Sequence, residues 1–263
     1  MKVVVITGST RGIGYGLADA FLSRGCSVTI SGRTSRAVDA VVTALSSQHE
    51  GSRLFGQACD VRQLDQVQAL WDASVARFGR VDIWINNAGV AHGQISFWEL
   101  APEEIRSVVE TNVIGAMHGA RVALKGLLDQ GHGSLYNMEG LGSDGRQVEG
   151  LILYGTTKRA LAYLTDALVA EVEGTGVVVG ALRPGMVATR LLTGQYEERP
   201  EEWERARKVF DLLADRVETV APWMADKVLS NTKNGARFKW LTMWRLAGRF
   251  LSAPFRKRDP FAG

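Results

Sequence analysis

Length, composition and charge limit what this chain can be. Its 263 residues, 46% of them apolar and 22% charged, suffice for the core of one large α/β domain. A formal net charge of +3, without a recognisable nucleic-acid module or interleaved aromatic and basic residues, argues against nucleic acid and favours a small-molecule partner. Cys26 and Cys59 fall at a predicted helix–strand turn and a strand end, so we expect buried thiols and no metal site.

The N-terminal residues and the hydropathy pattern bear on localisation. Met1 leads directly into a predicted strand, with no basic, apolar and small-residue presequence before it. No apolar run approaches the roughly 18 residues of a membrane span. We therefore expect no signal or transit peptide in this chain and a cytoplasmic or membrane-peripheral location.

A glycine-rich turn follows the first predicted strand, residues 2–7, whose β-branched run is typical of a strand buried on both faces of a parallel sheet. A helical pattern comes directly after the turn. Glycine lets the backbone approach a pyrophosphate, and the free N–H groups at a helix start bind the anion. The pattern predicts a dinucleotide loop, with a plain glycine turn as the alternative. Its residues are Gly8, Ser9, Thr10, Arg11, Gly12, Ile13 and Gly14.

Cofactor selectivity is expected at the tip of the second predicted strand, residues 26–31, which ends beside Arg33. In dinucleotide folds a carboxylate at this place selects the ribose 2′-hydroxyl, whereas a guanidinium selects a 2′-phosphate. Arg33, with Arg11 available from the glycine loop, therefore predicts NADPH or NADP⁺ as the cofactor. The alternative is a solvated surface arginine.

The third predicted strand adds a carboxylate at the same edge of the sheet. After a predicted helix over residues 35–46, this strand occupies residues 53–61 and ends at Asp60 and Val61. Asp60 could accept a hydrogen bond from the adenine amino group, cap the helix that begins near Leu64, or do both.

An asparagine stands at an unfavourable place further along the chain. The fourth predicted strand, residues 81–85, runs into residues 86–89, and a helix is predicted from residue 102 to about residue 128. Asn112 lies in the middle of that helix, where asparagine is a poor helix former and needs a reason to be present.

A tyrosine and a lysine share one helical face after the fifth predicted strand, residues 133–138. Tyr154 and Lys158 lie four apart in the helical run over residues 151–170, so the ammonium can sit near the phenol and favour its ionised form. Such a pair could equally be a solvated face with a packed ring. A sixth strand, residues 177–182, completes six βα units. They predict a Rossmann-like, doubly wound parallel sheet of about seven strands flanked by helices in a single domain.

Five motifs in this order resemble the short-chain dehydrogenase/reductases over about the first 190 residues. Residues 7–14 are similar to the cofactor loop of that family, and residues 86–89 to the motif that stiffens its central sheet. The resemblance implies further contacts with the adenine and the nicotinamide carboxamide. The residues it adds to the cofactor site are Asp60, Val61, Asn87, Ala88, Gly89, Pro184, Gly185, Val187 and Thr189.

The resemblance also implies the catalytic roles. Tyr154 is expected to protonate the carbonyl oxygen of the substrate during hydride transfer. Lys158 is expected to hold the nicotinamide ribose and lower the tyrosine pKa, and Asn112 to position a water. NADPH or NADP⁺ is the implied cofactor, and a homo-oligomer is expected.

One position departs from the family pattern. Gly140 stands where the family has a serine that orients the substrate carbonyl. Losing such a hydroxyl costs on the order of 10- to 1,000-fold in rate, which favours an easier substrate such as an aldehyde, or another donor such as Ser143. Strand alternation points Glu139 away from Gly140, which favours a structural role for it. The tentative substrate contacts are Glu139, Gly140, Leu141, Ser143 and His92. His92 would approach a magnesium ion carried by the substrate.

The loop over residues 137–145, together with Tyr154 and Lys158, is similar to the chlorophyll b reductase branch of the family, as are the segments 184–187, 212–221 and 239–242. The branch implies NADPH-dependent reduction of the 7-formyl group of chlorophyll b or chlorophyllide b to hydroxymethyl. Two alternatives stay open. One is a carbonyl reductase for another bulky apolar aldehyde or ketone, and the other is an idle NADP-binding scaffold with a regulatory role.

The chain is expected to divide into three parts within one domain. Residues 1–190 form the dinucleotide-binding and catalytic core, and residues 191–235 form a helical substrate lid. Residues 236–263 hold the last strand and a basic, aromatic-rich amphipathic tail. The tail is predicted either to contact a membrane surface or an access route for a hydrophobic substrate, or to pack on its own domain or a neighbouring subunit.

Overall fold

A seven-stranded parallel sheet forms the centre of the protein, in a computed structural model that describes residues 1–197, 199–252 and 258–261. The strands in chain order are β1 (Val3–Ile6), β2 (Ser27–Gly32), β3 (Leu54–Ala58), β4 (Ile83–Asn86), β5 (Gly133–Met138), β6 (Val177–Arg183), β7 (Met186–Val187), β8 (Ala214–Asp215) and β9 (Arg237–Lys239). The sheet has the order β3-β2-β1-β4-β5-β6-β9, and β7 pairs separately with β8. The order reverses between β1 and β4, which is where doubly wound sheets bind their ligands.

Helices cover both faces of the sheet, and their bounds follow in chain order. They are α1 (Gly12–Ser23), α2 (Ser35–Ser46), α3 (Leu64–Phe78), α4 (Pro102–Val109), α5 (Gly115–Gln130), α6 (Ile152–Glu171), α7 (Arg190–Thr193), α8 (Pro200–Leu213), α9 (Val217–Ser230) and α10 (Met243–Ser252).

Two apolar clusters fill the space between sheet and helices. One joins α1, α2 and α9 to the sheet, and the other joins α3 and α5 to the opposite face. All four residues of β1 are buried, as expected of a central strand covered on both sides. Cys26 and Cys59 are buried free thiols, and burial raises the pKa of Cys59 to about 12. The predicted doubly wound, single-domain fold is therefore confirmed.

Two local predictions are corrected by the structure. The helix predicted from residue 102 is interrupted by a π-helical turn at Glu110–Ile114, which contains Asn112. The reading of Asp60 as the cap of α3 is wrong, because Gln63 occupies the N-cap position and the Asp60 carboxylate accepts hydrogen bonds from Arg62 instead. The bounds predicted for α2 and β5 agree with those observed.

Asp215 on β8 ties the C-terminal segments to the core. Its carboxylate accepts a hydrogen bond from the indole of Trp240 at 2.6 Å and ion-pairs with Arg249 and, at 2.6 Å, Arg258. Burial alone would raise the pKa of Asp215, but these hydrogen bonds and positive charges lower it below its usual value. The C-terminal segment thus packs on its own domain through its polar side chains. Among the described residues, no helix is long and apolar enough to cross a bilayer.

Candidate active site

The glycine loop forms an open cradle between β1 and α1. Gly8 and Gly12 have φ angles of +64° and +58°, which side chains rarely tolerate. A Cβ at Gly14 would fall 2.5 Å from the side-chain nitrogen of Asn87 and 2.6 Å from the Gly8 carbonyl oxygen. The start of α1 therefore stays bare, and its free N–H groups suit the pyrophosphate of a dinucleotide.

Side chains around the loop hold it to the sheet. Thr7 accepts hydrogen bonds from the backbone N–H groups of Asn87 and Ala88, each at 3.0 Å. Asn87 in turn donates to the Thr7 and Gly8 carbonyl oxygens at 2.9 and 3.0 Å. The Ser9 hydroxyl donates to the Ile6 carbonyl at 2.8 Å. Ile13 packs on the core, and Thr10 lies against Gly32. The predicted loop residues are thus assembled with the motif that follows β4.

The adenosine end of the site combines exposed cations with one carboxylate. Arg11 and Arg33 are exposed, and neither makes a side-chain hydrogen bond within the described part of the chain. The hydrogen bond from Arg62, with smaller contributions from the charges of Arg62 and Arg33, lowers the pKa of Asp60. Val61 packs against the position of Gly115. Arg33 and Asp60 therefore share one end of the cleft, as predicted for the ribose and adenine.

The segment after β6 lies over the glycine loop. Gly185 has a φ of +74°, and a Cβ there would fall 2.8 Å from the Cβ of Leu241. The methyl carbon of Thr189 would lie 3.4 Å from a Cβ at Gly12. Val187 is buried on β7 and Pro184 precedes the turn. These contacts bring the expected nicotinamide segment to the cofactor cradle.

Tyr154, Lys158 and Asn112 come together at the carboxyl edge of the sheet. The Lys158 ammonium lies 5.6 Å from the centre of the Tyr154 ring and donates to the Met138 carbonyl at 3.0 Å. A Cβ added at Gly89 would lie 3.4 Å from the Asn112 side-chain oxygen and 3.7 Å from the Lys158 nitrogen. The three predicted catalytic residues therefore lie close together beside Gly89.

The π-helical turn explains why Asn112 is tolerated within a helix. Its side-chain oxygen accepts from the Val90 N–H at 2.8 Å, and its amide donates to the Val90 carbonyl at 2.9 Å and to Thr157 at 3.1 Å. Thr157 donates to the Tyr154 carbonyl at 2.8 Å. Sequence reasoning missed Thr157, which links Asn112 to the helix of the tyrosine. Single π-helical turns of this kind are common at functional sites.

Burial sets the protonation of the catalytic pair. It raises the pKa of Tyr154 to about 12. It lowers the pKa of Lys158 to about 8, although the negative charge of Glu139 acts in the opposite direction. Burial alone accounts for the upward shift of the Tyr154 pKa, so the expected lowering by Lys158 stays a prediction. A phenol in this state keeps its proton at neutral pH and can donate it.

The loop after β5 packs in close backbone contact with the first turn of α6. A Cβ at Gly140 would fall 2.7 Å from the Tyr154 hydroxyl oxygen, and one at Gly142 would fall 2.6 Å from the Cα of Gly155. Leu141 is partly buried. The Ser143 side chain is buried, and its hydroxyl makes no hydrogen bond within the described residues. The tyrosine hydroxyl therefore faces bare backbone where the family has a serine.

Two tentative substrate contacts have other roles. The Glu139 side chain has no exposed surface and ion-pairs with Arg183 and, at 3.5 Å, with Arg237. His92 is buried; its Nε2 accepts from the Tyr154 N–H at 3.2 Å, and its Nδ1 donates to the Gly93 carbonyl at 2.6 Å. His92 therefore uses both ring nitrogens on backbone groups, whereas Glu139 is held by the two arginines while its Oε1 makes no hydrogen bond within the described residues.

A cavity adjoins the nicotinamide segment on the side of the predicted lid. Its volume is about 460 Å³, and it opens between Thr189, α7 and Phe261 near the C-terminus. The cavity also touches Arg216 at the start of α9. The cavity therefore lies between the expected nicotinamide segment and parts of the predicted lid, whose role as a lid stays a prediction.

The cradle, the exposed arginines and the tyrosine–lysine pair fit a nicotinamide dinucleotide, which when bound supplies or accepts a hydride. In this arrangement the Tyr154 hydroxyl can donate a proton to a carbonyl oxygen, and the Lys158 ammonium can stabilise the charge that would develop on the phenol. Asn112 fixes the helix turn beside them. The fold and site therefore define a nicotinamide-dependent oxidoreductase.

The short chain dehydrogenase family profile matches residues 2–200, and the chain belongs to that family. Over 230 residues it is 36% identical to the chlorophyll(ide) b reductase NOL of Oryza sativa subsp. japonica, covering 86% of this chain and 66% of that protein. It spans between 51% and 67% of the length of four chlorophyll(ide) b reductases from that plant and Arabidopsis thaliana, two of them named as probable. The resemblance inferred from the motifs is confirmed.

Solved structures of the family share the fold. The actinorhodin polyketide ketoreductase with NADPH has a TM-score of 0.81 and 28% identity, over 91% of this chain and 95% of that one. The 3-ketoacyl-(acyl-carrier-protein) reductase from Brucella melitensis complexed with NADH has a TM-score of 0.79 and 26% identity, over 91% and 96%. Solved structures of this fold therefore contain NADPH in one case and NADH in the other.

Replacing Glu139 by Gln is expected to shift the pH profile of turnover. The charge of Glu139 raises the pKa of Lys158, so its removal lowers that pKa further below about 8. If the ammonium is the active form, activity is lost as pH rises through that pKa, and the alkaline limb moves to lower pH. Initial rates between about pH 6 and about pH 10 would show it.

The control for this experiment is Asp166→Asn. Asp166 is exposed and binds the same Arg237 at 2.7 Å, so its loss loosens the same arginine without removing the buried charge. If Glu139→Gln leaves the alkaline limb of the pH profile in place, or if both variants move it equally, the effect of the Glu139 charge on Lys158 is contradicted.

Proposed function

We propose that the protein reduces the 7-formyl group of chlorophyll b or chlorophyllide b to hydroxymethyl, with NADPH as the hydride donor. Hydride adds to the formyl carbon, the C=O π electrons move to oxygen, and Tyr154 supplies the proton that completes the alcohol. NADPH is oxidised to NADP⁺, and the tyrosine regains its proton from solvent.

One observation carries this proposal: the Tyr154 hydroxyl faces the backbone of Gly140 in place of a serine side chain. Without that second donor, the carbonyl oxygen must be held by the tyrosine alone, which suits an electrophilic and unhindered formyl group. The name and 36% identity of the rice reductase support the same substrate.

The substrate test is incubation of the full chain with NADPH and chlorophyll b or chlorophyllide b, followed by absorption and product chromatography. Formation of the 7-hydroxymethyl pigment supports the proposal. If neither pigment is reduced while small aldehydes are, the proposal is wrong. A reductase for another bulky apolar carbonyl is then favoured, as the likeness to a polyketide ketoreductase suggests.

Arg33→Ala is expected to raise the KM for NADPH by about 10- to 100-fold and to leave the KM for NADH nearly unchanged. A charge-assisted contact with a 2′-phosphate is lost, while NADH has no such group. Steady-state kinetics with both dinucleotides measure this. Arg36→Ala is the matched control, since Arg36 is also exposed, in the first turn of α2. Unchanged discrimination in Arg33→Ala would refute the role of Arg33 and the preference for NADPH that rests on it.

Self-association is also proposed, as is usual among enzymes of this size. Light scattering of the full chain at several concentrations tests it. A single monomeric mass throughout would exclude a stable homo-oligomer.

A further inference from the structure

Helix α10 is attached to the protein by its polar side chains. Arg249 donates to the Leu213 carbonyl at 2.7 Å and ion-pairs with Asp215. The guanidinium carbon of Arg245 lies 3.6 Å from the centre of the Trp240 ring. The charged groups that would normally face water are therefore directed at the domain.

The opposite face of α10 presents large apolar side chains to solvent. Met243 is 67% exposed, Trp244 88%, Phe250 60% and Leu251 77%. Met243 and Phe250 are seven residues apart, as are Trp244 and Leu251, so the four share one side of the helix. Single exposed apolar residues are ordinary, but four on one short helix mark an interaction surface.

The position of α10 connects this surface to the active site. Leu241, shortly before the helix, packs against the Gly185 turn of the nicotinamide segment. Asp215, which holds Arg249, accepts a backbone hydrogen bond from Ala188 at 2.9 Å in the same segment. The apolar face is therefore fixed beside the end of the cleft where the substrate would react.

We propose that this apolar face of α10 docks on the surface of an anionic lipid bilayer. A helix with aromatic and aliphatic residues on one side and basic residues near it has the composition of an interfacial helix. Residues 236–258 hold no acidic residue; the basic ones are Arg237, Lys239, Arg245, Arg249, Arg256, Lys257 and Arg258. Asp215 offsets only one of the two charges of Arg249 and Arg258, and the neighbouring α8 is nearly balanced with four acidic and three basic residues, so the net charge of this region is positive.

The size of the surface argues against a second copy of the chain as the occupant. Ten residues of helix are about 15 Å long. A stable protein interface buries about 800 Å² on each partner, which four side chains on such a short helix do not supply alone. Insertion into lipid needs no matching partner surface and tolerates a small apolar face.

The double variant Trp244→Ser/Leu251→Ser tests the proposal by flotation of the full chain with phosphatidylcholine vesicles, with and without phosphatidylglycerol. We expect the wild type to float with the anionic vesicles and the variant to lose at least about tenfold in partitioning. Trp98→Ser is the matched control, because Trp98 is 84% exposed outside α10. Unfolding curves establish that all three chains fold.

Two results would overturn the proposal. One is a wild type that does not float, or a double variant that floats equally well. The other is a wild type that is dimeric by light scattering and does not bind the vesicles, together with a double variant that is monomeric. That result would assign the face to self-association.

The biological meaning of docking rests on the proposed function, since a pigment substrate dissolves in lipid. Flotation requires no turnover, so the flotation experiment tests membrane docking even if the pigment is not reduced. Conversely, the double variant should reduce a water-soluble aldehyde at the wild-type rate but a vesicle-embedded substrate more slowly. An equal loss on both substrates would contradict the proposed route from the lipid.

Discussion

Tyr154→Phe is expected to lower kcat by about 10²- to 10⁴-fold while changing the Kd for NADPH only a few-fold. The substitution removes the hydroxyl that supplies the proton and keeps the ring that packs beside Lys158. In the proposed function the tyrosine also orients the carbonyl, because Gly140 offers no hydroxyl, so the substitution would remove both functions together. Single-turnover kinetics and fluorescence titration of the dinucleotide separate chemistry from binding.

The matched control is Tyr163→Phe, the same change on the same helix at a side chain that is 77% exposed. It should leave kcat unchanged. If Tyr154→Phe retains wild-type turnover, the tyrosine is not the acid. If neither the wild type nor the variant turns over any carbonyl substrate although both bind NADPH, the chain is a dinucleotide-binding scaffold.

Introducing the serine that most of the family carries, by Gly140→Ser, is expected to lower kcat by about 10²-fold. A side chain at this position begins with a Cβ 2.7 Å from the Tyr154 hydroxyl oxygen and 3.4 Å from Lys158, so the acid must move. A displacement of about 1 Å at a reacting group costs on that order. The rate of aldehyde reduction at saturating dinucleotide measures the effect.

Gly155→Ala is the control for that experiment. It adds a Cβ in the same helix turn, where the nearest atom is the Gly142 Cα at an ordinary 3.9 Å. Its activity should match the wild type. A Gly140→Ser variant that is as active as the wild type, or more active, would show that the loop accommodates the hydroxyl and that its absence does not define the substrate.

The cofactor half of the site could be predicted because its signals are local. A β-branched strand, a glycine turn and a helix start lie within about the first 20 residues, and the structure assembles them as expected. The tyrosine and lysine four apart needed only the geometry of one helix. Gly140 could be located by counting, yet its contact with the tyrosine hydroxyl depends on how the loop packs.

Other features arise from contacts that are distant in the sequence. The π-helical turn depends on hydrogen bonds between Asn112 and Val90, 22 residues away. Glu139 is buried because Arg183, 44 residues later on β6, binds it. The amphipathic pattern of α10 was visible in the sequence, but only the position of Asp215 decides that its basic side faces inward.

The Asp215 contacts imply an order in which the working enzyme is completed during synthesis. Arg249 and Arg258 follow that carboxylate by 34 and 43 residues, so a ribosome making about 5–20 residues per second supplies them seconds later. By then the glycine loop, Asn112 and Tyr154 have long been made. The glycine loop can therefore assemble on the nascent chain first, whereas the nicotinamide segment, which binds Asp215 through Ala188, is fixed last.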